Sequence, residues 1–177
     1  RGKQDCILRI GHESRRTADL VQAESEFLNH LSLGGLSVPQ VLASENGCLV
    51  EQVPAADGSH FLTTLFEKAP GEPPSSAVWG PLLFHSMGAF MGRLHHLSKD
   101  FTPSQSRFTR YDIDQDFEEM AEIGRRHLSP QDKPILNAYL ETVEKINKLP
   151  RDSECFGLCH VDFHGGNFFV TQEGKIT

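Results

Sequence analysis

The chain has 177 residues, enough for one ordinary domain or for two small lobes sharing an interface. Hydrophobic residues make up 38% and charged residues 23%, a globular balance that excludes wholesale disorder. The formal net charge of −7 argues against a general nucleic-acid binder, whose footprint is basic, and no run of about 18 apolar residues offers a transmembrane helix. Local Lys, Arg, metal ions or backbone N–H groups still leave room for a phosphate site.

Cys6-Ile7-Leu8-Arg9-Ile10 reads as a strand, and if Leu8 and Ile10 face the core, Arg9 points the other way. Thr17 to Leu33 reads as a helix with Thr17 as N-cap, Leu20, Ala23, Phe27, Leu28 and Leu31 as its apolar stripe, and Gly34-Gly35 ending it. Glu24 lies beside that stripe and Glu26 off it. Val38 to Ser44, a Glu45-Asn46-Gly47 turn and Cys48 to Val53 carry the strongest short hairpin signal. A second turn at Ala56-Asp57-Gly58 leads into His60 to Phe66, completing a small α+β lobe. The Pro- and Gly-rich Glu67–Pro74 then breaks the pattern and is the best domain boundary.

Beyond it the chain turns helical. Ser75 or Ser76 is positioned to cap a helix running through Leu82, Leu83, Met87, Phe90, Met91, Leu94 and Leu97. Phe101 to Arg110 is loop-like, Phe117 to Leu128 is a weaker helix, and Ser129-Pro130 opens a helix ended by Pro150. The four cysteines (Cys6, Cys48, Cys155, Cys159) are scattered and read as buried free thiols. The spacing of Cys155 and Cys159 is a weak zinc signal, and the cytosolic character of the chain argues against disulfides.

Phe156 to Val170 holds most of the chemistry: two apolar, strand-like flanks around a polar, glycine-containing loop, the kind of place where catalytic groups are held. One reading takes His160, Asp162 and His164, at i, i+2, i+4, as ligands of a zinc or iron hydrolase. The other takes Asp162 as a catalytic carboxylate and Asn167, five residues later, as a Mg²⁺ ligand. Phosphoryl transfer needs a group to orient the acceptor hydroxyl and take its proton, and oxygen ligands for a metal bridging the phosphates. The lobe–hinge–lobe layout favours the second.

The run Cys159-His160-Val161-Asp162-Phe163-His164-Gly165-Gly166-Asn167 resembles the H-G-D-x-H-x-x-N loop of the aminoglycoside phosphotransferase/choline kinase-like family. Other stretches are similar to the family in order. Ile7–Ile10 matches its phosphate-pairing strand, Ala23–Leu31 the following helix with Glu24 as ion-pair acid, Val38–Val41 the next strand's entry, and Met91–His95 a C-lobe helix end. The resemblance covers nearly the whole chain. It implies an α+β, protein kinase-like bilobal fold, with an antiparallel-sheet N-lobe over residues 1–69, a hinge near 67–74, and a helical C-lobe over 70–177 whose catalytic loop is 160–167.

The function so implied is ATP- and Mg²⁺-dependent transfer of the γ-phosphate to a hydroxyl of a small molecule in the cytoplasm. Asp162 is the expected catalytic base with His160 and His164 supporting it, Asn167 the metal ligand, and Arg9, Glu24, Glu67 and Ala69 the nucleotide-binding set, the last two through their backbones. Arg9 stands where the family usually has Lys and is read as a branch feature. Val161 replaces the usual Gly and Gly165 the usual Pro, so loop geometry is expected to differ slightly. The Gly-rich phosphate loop and the second magnesium-binding Asp are missing from the sequence, which is therefore read as a fragment of something longer, incomplete at both ends and by itself poor at transfer. A catalytically inactive pseudokinase fragment or interaction module is the alternative, and a Ser/Thr protein kinase of the same fold the third. Acceptor contacts are expected from residues 101–150, where Asp112, Asp114, Asp116, Glu118, Glu119 and Glu122 either receive a cationic acceptor or form a solvated helix face.

Overall fold

The computed structural model describes residues 5–177, so Arg1 to Gln4 of the expected N-lobe lie outside the described residues. Residues up to Thr109 together with Gly157–Thr177 form one compact unit, and Arg110–Phe156 form a second.

The first unit is built on a four-stranded antiparallel sheet centred on β4 (His60–Glu67), whose aromatic and β-branched residues suit a pleated surface. β1 (Cys6–His12) runs along one edge of β4, in register from Cys6↔Glu67 to His12↔Phe61. β2 (Val41–Leu42) and β3 (Glu51–Pro54) lie end to end along the other edge, opposite Leu65–Phe66 and His60–Thr63. This corrects the hairpin expected at Asn46-Gly47. The turn forms, with Gly47 at φ +80° and its N–H donating to Ser44, but β2 and β3 each pair with β4 instead of each other. One long central edge docks both flanks in tandem, and the turn closes a side excursion. Ser44 Oγ and Asn46 Nδ2 both donate to Glu51 Oε1 there, holding the Glu51 carboxyl below its ordinary range. The Asp57-Gly58 hairpin between β3 and β4 forms as expected, closed by Ala55 N–H to Ser59 O at 2.8 Å.

The faces of β1 are the reverse of the conditional reading. Leu8 and Ile10 are exposed, while Arg9 lies on the face of the buried Thr64, its cross-strand partner. That face meets α1 (Ala18–Leu33), capped by Thr17, whose hydroxyl accepts from the Leu20 N–H at 3.3 Å. The buried positions of α1 are Val21, Ala23, Ser25 and Leu31, a face rotated from the expected stripe. The helix serves two neighbours at once. Asn29 brackets Val41 of β2, donating to its carbonyl at 3.1 Å and accepting from its N–H at 2.8 Å. On the other side Leu31 and Leu36 pack with Leu94 of α2 (Pro81–Ser98), with Phe27, Val38, Phe90 and Leu97 around them. Each such fully buried leucine contributes about 1.5–3 kcal/mol. Gly34 lets α1 end against α2, since a Cβ there would meet Leu97 Cδ2 at 2.6 Å.

Ser75 precedes a short 3₁₀ turn, Ser76–Val78, without a side-chain capping bond, while α2 itself starts at Pro81 behind Gly80, a correction to the expected cap. The second unit is a pair of helices, α3 (Ile113–His127) and α4 (Lys133–Asn147), joined through a 3₁₀ turn at Pro130–Asp132. Tyr139 Oη donates to the Phe117 carbonyl at 3.2 Å, and the two rings meet edge to face. Cys6, Cys48, Cys155 and Cys159 stand outside any disulfide and all are exposed, which corrects the burial expected of these thiols. The reason lies partly in the flank: residues 156–158, expected as a strand, are irregular, and pairing around the loop among the described residues consists of bridges of Val170 with Glu72 and with Ile176.

Candidate active site

The loop from His160 to Asn167 is anchored by its phenylalanines. Phe163 stacks on Phe90 of α2 with centroids 5.4 Å apart, packs against Phe168 at 5.1 Å, and takes the His160 ring edge-on at 5.3 Å. Phe168 is buried with Leu83 and Ile176, and Phe90 contacts this cluster as well as the α1–α2 core. The polar residues between the anchors are thereby pushed outward. Asp162 presents a side chain that is 76% exposed, with His164 beside it at 61%.

Asn167 organises the exposed groups. Its Nδ2 donates to the Asp162 carbonyl at 2.8 Å and to Asp162 Oδ2 at 2.9 Å, and lies 3.2 Å from His164 Nε2. His164 in turn accepts the Gly166 N–H on Nδ1 at 3.0 Å and stands 3.6 Å from Asp162 Oδ1. The Asn167 amide nitrogen is thus committed to Asp162, and its Oδ1, a hard oxygen suited to Mg²⁺, faces away from these bonds. His160, Asp162 and His164 do not converge as ligands: among the described residues no three His, Cys, Asp or Glu form a metal-holding group. His160 Nδ1 is buried without a hydrogen-bond partner among the described residues, and its ring serves as packing for Phe163.

Two substitutions in the loop have visible consequences. The Asp162 N–H donates to the His160 carbonyl at 2.7 Å, closing a three-residue turn centred on Val161. Val161 has φ +60°, the one non-glycine residue in the left-handed region among the described residues, and it is 89% exposed. A β-branched side chain there is strained, which gives the physical reason a Gly suits that position. Gly165 lies under Trp79, where a Cβ would approach Cζ2 to 2.7 Å.

Arg9 and Glu24 are brought together: Arg9 Nη1 donates to Glu24 Oε1 at 2.7 Å, and its guanidinium lies 4.9 Å from the Phe66 ring centroid. Sequence reasoning missed Arg16, whose Nη1 donates to the other oxygen of Glu24 at 2.6 Å. Its only signal was a third charge just before the helix cap. The segment 67–74, expected as the hinge, is pinned on several sides. Glu67 N–H donates to Gln40 O, Lys68 N–H to Asp5 O, and Thr177 Oγ1 to Pro70 O at 2.6 Å. Glu72 exchanges two backbone bonds with Val170 just beyond the loop. Ala69 sits half-buried between these fixed points. In the second unit three of the six acidic residues at α3 are engaged locally: Asp112 caps the helix, Asp114 pairs with Arg151 at 2.8 Å, and Glu122 pairs with Arg125 and Arg126. No helix of the described residues is long and apolar enough to cross a membrane.

The model of the phosphotransferase enzyme family matches residues 1–177. The chain is 36% identical over 175 residues to amicoumacin kinase of Bacillus subtilis (strain 168), covering 98% of this chain and 51% of that protein. It is 26% identical over 178 residues to an uncharacterized protein of Synechocystis, covering 97% of this chain and 48% of the other. Among solved structures, amicoumacin kinase hAmiN in complex with AMP-PNP, Ca²⁺ and Ami matches with a TM-score of 0.87 and 31% identity, over 98% of this chain and 51% of that one. The fold is therefore α+β and protein kinase-like, and the chain spans about half the length of the relatives it matches.

Proposed function

The chain belongs to the phosphotransferase enzyme family, and from that premise we propose that its protein is an ATP- and Mg²⁺-dependent kinase for a hydroxyl of a small molecule. The observation that carries the reading is the double hold of the Asn167 amide on the carbonyl and the carboxylate of Asp162. It sets one carboxylate in an exposed position beside one uncommitted amide oxygen, the two groups phosphoryl transfer asks of such a loop.

In this reading Asp162 orients the acceptor hydroxyl and takes its proton as the bond to phosphorus forms. His164 steadies the same carboxylate from its other oxygen, and His160 braces the loop through Phe163. Asn167 Oδ1 would hold Mg²⁺ together with oxygen ligands from elsewhere in the protein, and the bound cation supplies neutralisation of the phosphate charge. Arg9, oriented by Glu24, pairs with the phosphates. The backbones of Glu67 and Ala69 bind adenine, and the Glu67 N–H is itself bonded to the Gln40 carbonyl. Such a reaction belongs in the cytoplasm, where ATP is supplied. The similarity to amicoumacin kinases makes amicoumacin the first acceptor to try; related amino-sugars and amino-alcohols come next.

The test is Asp162→Asn in the whole protein. Transfer, followed as ADP release and acceptor phosphorylation, is expected to fall by about 10²–10⁴, while the thermal shift given by ATP is kept. A fully active Asn variant removes the role assigned to Asp162. A wild-type protein with no nucleotide-dependent shift removes the reading as a whole.

A further inference from the structure

Glu24 carries a guanidinium on each of its oxygens. Arg9 Nη1, from β1, lies 2.7 Å from Oε1, and Arg16 Nη1, from the connection into α1, lies 2.6 Å from Oε2. The carboxylate is the most covered of the three, with side-chain exposures of 19% for Glu24, 38% for Arg9 and 46% for Arg16. Among the described residues two guanidinium cations share this one carboxylate, which leaves a positive charge over in that group.

An arginine facing a lone carboxylate tends to close on it as a fork, with two parallel N–H···O bonds. Here the second oxygen is occupied, and the bond from Arg9 to Glu24 runs through Nη1. Its Nη2 is shielded from solvent and has no hydrogen-bond partner among the described residues. A covered guanidinium nitrogen without a partner is costly to keep, and such groups in a folded protein call for a ligand or a working role. Held to Glu24 through Nη1 alone, the guanidinium keeps Nη2 out of that pair; a forked pair would engage a second nitrogen.

We propose that Arg16 is a positioning residue for nucleotide phosphate. By occupying Glu24 Oε2 it stops Glu24 from closing on Arg9 as a fork, and so keeps one Arg9 nitrogen and the surplus positive charge for the phosphates. The inference rests on the assignment of Arg9 to phosphate given above. A half-exposed ion pair adds little to folding, so the effect of Arg16 lies in binding. Its place just ahead of Thr17, the cap of α1, ties its backbone to the start of the helix that carries Glu24.

The experiment measures the affinity of the whole protein for ATP and for adenosine in four forms: wild type, Arg16→Met, Arg16→Lys and Arg9→Met. Arg16→Met is expected to weaken ATP by roughly tenfold, the worth of one charge-assisted bond, and to leave adenosine unchanged. Arg16→Lys, which keeps a cation on Oε2, is expected to restore most of the loss. Unchanged ATP affinity in Arg16→Met overturns the inference, as does an equal weakening of adenosine, which marks a general disturbance of the pocket. Arg9→Met separates the two levels. If it weakens ATP while Arg16→Met does not, only the role of Arg16 falls; if it leaves ATP untouched, the assignment of Arg9 falls and the inference goes with it.

Discussion

Asn167 Nδ2 donates at once to the backbone carbonyl and to the carboxylate of Asp162, at 2.8 and 2.9 Å. One amide thereby fixes both the main chain and the side chain of the residue proposed as base. Replacing Asn167 by Ala removes that hold and the amide oxygen together. In the whole protein kcat is expected to fall by about 10²–10³, with a higher Mg²⁺ concentration needed for half-maximal rate. Asn167→Asp keeps an oxygen for the metal but sets a second carboxylate against Asp162, so its metal requirement should rise less while its rate still falls. Equal metal dependence in wild type and both variants removes Asn167 from the metal site.

Val161 offers a test of strain that is independent of catalysis. With φ +60° and an 89% exposed side chain, it carries backbone strain and gives almost no packing in return. Relief of the left-handed penalty for a β-branched residue is worth about 1–2 kcal/mol, against about 0.5–1 kcal/mol for the greater freedom of unfolded glycine. Val161→Gly is therefore expected to stabilise the protein by about 0.5–1 kcal/mol, read from the midpoint of urea denaturation at unchanged slope. A destabilised Gly variant shows that the turn at Val161 is not under strain.

What could be read beforehand and what could not follows the range of the forces involved. Helix α1, its Thr17 cap and the spacing from Asp162 to Asn167 are local features, set by periodicity and by chemistry within one turn or loop. The Asn46-Gly47 turn was equally local and did form, but the choice of β4 as partner for both its flanks depends on a strand that lies beyond the turn and both flanks in the sequence. The facing of Arg9 turned on the same kind of distant fact: a strand alternates, but which of its faces meets α1 is fixed only when the sheet is assembled. Arg16 was invisible for that reason, because its partner Glu24 is also the partner of a residue on β1. The cysteines misled because an apolar neighbourhood in sequence at residues 155–159 became irregular exposed chain.

Gly71 links the segment 67–74 to the exit of the loop. It has φ +97°, and a Cβ there would stand 2.7 Å from the Val170 carbonyl oxygen, which is backbone and cannot swing aside. The adjacent Glu72–Val170 bridge and the Thr177–Pro70 bond hold the two segments together. Gly71→Ala is expected to cost about 2–4 kcal/mol, from backbone strain and overpacking combined. Gly35→Ala, at φ +80° with open space around it, should cost only the strain, about 1–2 kcal/mol. Denaturation of the two variants side by side checks this, and equal losses would mean that the contact with Val170 has slack.

Glu26 gives a pH dependence with a definite sign. Burial raises its pKa, but hydrogen bonds from Gln22 Nε2 and from the Ser104 N–H and hydroxyl stabilise the charged form and together outweigh it, so the folded value lies below the ordinary range. A carboxyl depressed in the folded state contributes stability that is fully present above its unfolded value, about 4.3, and is lost as pH falls through the folded one. The attachment of Ser104 to α1 should therefore weaken in acid below about pH 4, while Phe101, packed on Phe27 and His30, keeps the start of the same segment in place. Hydrogen exchange of the Ser104 amide reads this directly: protection should drop across that window in the wild type. Glu26→Gln retains an acceptor for the amide but cannot titrate, so its protection should stay level over the same range. An identical acid-dependent drop in the Gln variant would assign the transition to some other group.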